Sequence, residues 1–97
     1  QATVVGRMNH EALQTAIAKT GAAVLTLENY PRFFGNWRAT LQLGQRTLEI
    51  VSDRRDGWLS LWLLHAGKGQ KVHEIESTAL SQEQELAQIS RWLMCDF

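Results

Sequence analysis

Asp53, Arg54, Arg55 and Asp56 form the densest charge cluster of this sequence, and Trp58 follows one glycine later. Arginine and tryptophan are enriched among the residues that anchor protein interfaces, so Arg54, Arg55 and Trp58 have the composition of a binding site. Asp53 and Asp56 are then the residues that shape the loop. The same charges also suit a solvated turn in which aspartate side chains accept backbone N–H bonds. Other chemistry finds less support. His10, His65 and His73 are scattered, and none stands at metal-ligand spacing from a cysteine or aspartate, so no metal is expected. Gly67-Lys68-Gly69 lacks the glycine spacing and the following Ser or Thr of a phosphate loop, and residues 66–70 read instead as a mobile hairpin loop. No nucleophile-elbow motif is present, and neither enzymatic activity nor a cofactor is expected.

Ten Lys and Arg balance ten Asp and Glu, so no net field draws the 97-residue chain to nucleic acid or to an anionic membrane. One domain over residues 1–97 is expected from the length, with Met8 a candidate natural start and residues 1–7 an added or disordered leader. No run approaches the roughly 20 apolar residues of a membrane helix, no signal peptide opens the chain, and the cytoplasm is the expected location. The single cysteine, Cys95, follows Trp92, Leu93 and Met94 and is expected to be a small buried hydrophobe.

The elements that must position these residues are legible in the apolar periodicity. Asn9 is an N-cap for a helix over about 10–20, with Leu13 and Ile17 on its apolar stripe and Gly21 as its stop. Residues 23–27 read as a short strand, and Asn29-Tyr30-Pro31 leads to a corner at Phe33-Phe34-Gly35-Asn36. Trp37, Ala39, Leu41 and Leu43 then alternate with Arg38, Thr40 and Gln42; after a turn at Gly44-Gln45, Leu48 and Ile50 alternate with Thr47 and Glu49. Each of these strands has one wet face. A weak strand is allowed at 71–76, and Ser81 with Gln84 makes a capping box ahead of a helix over about 82–94. The sum is an α+β domain: an antiparallel meander of three to five strands, flanked by N- and C-terminal helices packed on one face.

The strand from Trp58 to His65 departs from its neighbours. Leu59, Leu61 and Leu63 fall on one side, Trp58, Ser60, Trp62 and Leu64 on the other, so both faces are apolar. Trp58 and Trp62 lie about 13 Å apart at strand rise and, with Leu64, form one patch. Either a helix of this chain covers it or another chain does.

The string Phe34-Gly35-Asn36, followed by a strand, Leu48-Glu49-Ile50-Val51-Ser52-Asp53-Arg54 and Gly57-Trp58-Leu59 resembles a pattern of small bacterial immunity-type proteins. What the resemblance implies is a protein without catalysis of its own that neutralises a cognate toxin by binding it. Immunity proteins are frequently acidic; this chain is neutral, which favours aromatic contacts and pairing of Arg54 and Arg55 with acids on the partner. The expected function is therefore protein binding through Trp58, Trp62, Arg54, Arg55, Asp53 and Asp56. The alternative is a homodimeric structural or secretion-chaperone-like protein whose tryptophan face is half of a dimer core.

Overall fold

The computed structural model describes residues 8–30 and 32–95, so the expectation for residues 1–7 lies outside the described residues. The elements run α1 (His10–Ala18), β1 (Ala23–Tyr30), β2 (Asn36–Leu43), β3 (Arg46–Asp53), β4 (Trp58–His65), β5 (Lys68–Glu76) and α2 (Gln82–Met94). All five strands pair antiparallel with their sequence neighbours, in the order β1-β2-β3-β4-β5. This is the expected α+β meander. Both weak strands join it: 23–27 continues to Tyr30, and 71–76 begins already at Lys68.

Alternation decides which side of the sheet is dry. Trp37, Ala39 and Leu41 of β2, Leu48 and Ile50 of β3, and Leu59 and Leu61 of β4 are at most 1% exposed and oppose one another across the ladder. Leu13 and Ile17 of α1 and Ile89, Trp92 and Leu93 of α2 complete the same core, so both helices cover one face. Each buried Leu or Ile contributes about 1.5–3 kcal/mol relative to exposure. The caps are those the sequence predicts. Asn9 Oδ1 accepts from the Ala12 N–H at 3.1 Å, and Ser81 and Gln84 exchange both bonds of the capping box. The two helix starts are also joined directly, since the Asn9 N–H donates to Gln82 Oε1 at 2.6 Å. Among the described residues no helix is long and apolar enough to cross a membrane.

Two local expectations are corrected. Cys95 is exposed because α2 ends at Met94; Cys95 is its C-cap, in extended backbone, and leaves the apolar face of the helix. Residues 66–70 do hold the expected hairpin connection, but it is shorter: Ala66 and Gly67 are the turn, and β5 already begins at Lys68. Ala66 and Gly67 both have positive φ, 54° and 80°, the mirror-image turn whose twist matches a two-residue hairpin.

Candidate protein-binding surface at one end of the sheet

In a meander of equal strands the odd-numbered connections share one end. The β1–β2 turn, the β3–β4 loop and the β5–α2 connection therefore lie together. Among the described residues, four of the six large exposed hydrophobics belong to that end: Tyr30, Phe33, Phe34 and Trp58. Contacts tie parts of this end together. The Phe33 and Phe34 rings meet edge to face at 5.2 Å, the Arg55 guanidinium lies 5.8 Å from the Phe34 ring centre, and Asp53 is the cross-strand partner of Trp58. Tyr30, Phe33, Arg38, Val51 and Asp53 line a cavity of about 340 Å³ beside them.

The Phe34 backbone is the unusual element. The Asn36 N–H closes a four-residue turn onto the Phe33 carbonyl at 3.1 Å, with φ of 61° at Phe34 and 73° at Gly35. A glycine adopts that left-handed region freely; a bulky aromatic residue does so at a cost of about 1–2 kcal/mol. The turn lifts the Phe34 ring into solvent, 60% exposed. Local strain that displays an apolar ring is a mark of function over stability. Phe34→Asn, which tolerates positive φ, is expected to raise stability by about 0.5–1 kcal/mol in urea denaturation. A loss of stability of the same size would show that the ring packs for the fold.

The polar frame holds the rim in place. Arg38 on the outer face of β2 bridges Glu28 of β1 at 3.2 Å and Glu49 of β3 at 3.7 Å. The Tyr30 hydroxyl donates to Glu28 at 2.6 Å, and this bond, followed by Arg38, holds the Glu28 carboxyl below its ordinary range. Asp53 shapes its loop as expected: its carboxylate accepts the N–H groups of Arg55 and Asp56, each at 3.1 Å. Gly57, with φ of 80°, donates to the Asp53 carbonyl at 2.8 Å and accepts from the Ser77 N–H at 2.7 Å. It thereby ties the β3–β4 loop to the connection leading into α2.

The six residues named by sequence separate into two groups. Asp53, Arg55, Asp56 and Trp58 lie at the sheet end, with Trp58 41% exposed. Arg54 turns to the opposite side. It shares the alternation of Ile50 and Ser52 and pairs with Glu85 of α2 at 3.3 Å, in a partly buried ion pair that belongs to the fold. Trp62 sits on the outer face, half-buried against its own sheet. Its Nε1–H donates to Ser60 Oγ at 2.9 Å, and Lys71 Nζ lies 5.6 Å from its ring centre. Gly69 leaves room for this packing, since a Cβ there would stand 3.3 Å from the Trp62 ring. The three histidines stay apart, and His73 stacks on Trp92 at 5.6 Å.

Tyr30, Phe33 and Phe34 were not among the site residues that the sequence suggests. Their signal was available in strand counting, because equal strands in a meander place residues 30–36 and 53–58 at one end. A scan against protein-family models, a search of curated proteins and a search of solved structures each returned no match.

Proposed function

We propose that this chain is a protein-binding module that neutralises a cognate bacterial toxin in the cytoplasm by direct contact through the aromatic rim. The observation that carries this reading is the convergence of Tyr30, Phe33, Phe34 and Trp58 on one sheet end, with Arg55 against the Phe34 ring. Clustered aromatic and arginine side chains supply much interface energy at little conformational cost. The partner surface that fits is apolar at its centre, with a carboxylate placed to pair with Arg55. The toxin assignment rests on the sequence resemblance; the rim supports binding of a protein.

The test is co-expression with the product of the neighbouring reading frame. The wild-type chain is expected to relieve growth arrest, whereas the double variant Phe34→Ser, Trp58→Ser, folded by circular dichroism, is expected to relieve none. Full relief by that variant would remove the rim from the function.

A further inference from the structure

The two edges of the sheet are built differently. β5 carries Lys68, Lys71, His73, Glu74 and Glu76, and a register irregularity opposite Leu61 and Trp62, which are the devices that discourage a further strand. β1, at the other edge, reads Ala23-Val24-Leu25-Thr26-Leu27-Glu28-Asn29-Tyr30. Its one charge, Glu28, is already engaged by Arg38 and Tyr30. Eight residues of edge backbone are thus guarded only by a bulge at Leu25, which is 54% exposed.

Beside that edge runs a groove of about 540 Å³ between α1 and β1, lined by Gln14 and Ala18 of the helix, by Ala22, and by every residue of β1 from 23 to 27. A strand added to β1 would have to present apolar side chains toward this groove and polar ones toward the outer face of the sheet. β1 itself has that pattern. Val24 and Leu27 align with Leu41 and Ala39 on the helix side, Thr26 and Glu28 align with Thr40 and Arg38 on the wet side, and Leu25 stands exposed at the bulge between them.

We infer that β1 is a homodimer edge: two copies pair β1 against β1 about a two-fold axis, forming one continuous sheet of ten strands. Residues opposite one another in an antiparallel ladder lie on the same face, so the leucines of each copy close the groove of the other. The outer faces then stay polar across the junction, and no unpaired like charge is brought to the axis. This surface meets the aromatic rim only at Tyr30, the last residue of β1, and does not depend on the toxin assignment.

Sedimentation velocity of the full chain across a concentration series tests the inference, together with amide hydrogen exchange at low and high concentration. The mass is expected to rise from one chain to two, with exchange slowing in residues 23–29. Leu25→Lys, felt twice in a symmetric interface, is expected to raise the dissociation constant by about tenfold or more. The thermal midpoint of its dilute monomer should match that of the wild type. A one-chain mass into the millimolar range overturns the inference and leaves the edge to a strand of another protein. A dimer that resists Leu25→Lys but dissociates with Trp58→Ser overturns it equally and moves the interface to the rim.

Discussion

Replacing Arg54 by alanine is expected to destabilise the domain by about 2–4 kcal/mol at neutral pH, because it strands the Glu85 carboxylate in the core. The sequence alone suggests the opposite, since two adjacent arginines at a loop read as solvent-exposed anchors. Glu85 is 1% exposed, its Oε2 pairs with Arg54 at 3.3 Å, and its Oε1 is buried with no hydrogen-bond partner among the described residues. Burial raises its pKa above the ordinary 4.5, and the attraction of Arg54 only partly offsets this. The charged form is therefore penalised on balance in the folded state.

The sign of the pH dependence follows. A carboxyl whose folded pKa is raised binds its proton more tightly in the folded state than in the unfolded chain. Its contribution to stability is full below 4.5 and is lost as pH rises through the folded pKa. Glu85→Gln, a neutral near-isostere, should then match or exceed the wild type at pH 7, with its advantage vanishing as the pH falls toward 4.5. Arg54→Ala should regain part of its loss over the same window. Adding Glu85→Gln to Arg54→Ala should restore most of the loss at pH 7. Urea denaturation of the four chains at several pH values supplies the check. A Glu85→Gln chain clearly weaker than the wild type at pH 7 would mean that the ion pair stabilises more than desolvation costs.

The second large effect is expected at Gly57. Its φ of 80° already disfavours any side chain, and a Cβ there would collide with Thr78 Oγ1. Gly57→Ala is expected to cost about 2–4 kcal/mol, combining left-handed strain with displacement of the Thr78 side chain. Gly21 provides an internal comparison. It has φ of 92° and nothing within 4 Å of a built Cβ, so Gly21→Ala should cost only the strain, about 1 kcal/mol. Thr78→Ala combined with Gly57→Ala should recover the difference between the two sites. Equal losses at Gly21 and Gly57 in guanidinium denaturation would assign the whole effect to the backbone and none to the collision.

Most of the fold was legible because its signals are local. The alternation from Trp37 to Ile50, the stop at Gly21 and the Ser81-Gln84 box each depend on residues within one turn or one strand pair. Arg54 was readable in principle. Extending the alternation of Leu48, Ile50 and Ser52 by one step places it on the dry side, but its partner Glu85 lies 31 residues away and leaves no mark in the local pattern. The rim was harder for the same reason: Phe33-Phe34 and Trp58 become one surface only through the stacking order of hairpins. Trp62 was harder to place because both faces of its strand are apolar. Its partial cover comes from Lys71 and the absent side chain of Gly69, neither of which carries a hydrophobic signature.

The uninterrupted order of the strands has a kinetic meaning. Every ladder joins neighbours in sequence, so each hairpin can close with a short loop and add to the one before it, without waiting for a distant segment. The helices are the exception. The contact from the Asn9 N–H to Gln82 spans 73 residues and joins the N-terminal helix to the C-terminal one. The topology leads us to expect a zipper with a latch, in which the hairpins govern how fast the chain organises and the docking of α1 and α2 governs how long it stays closed.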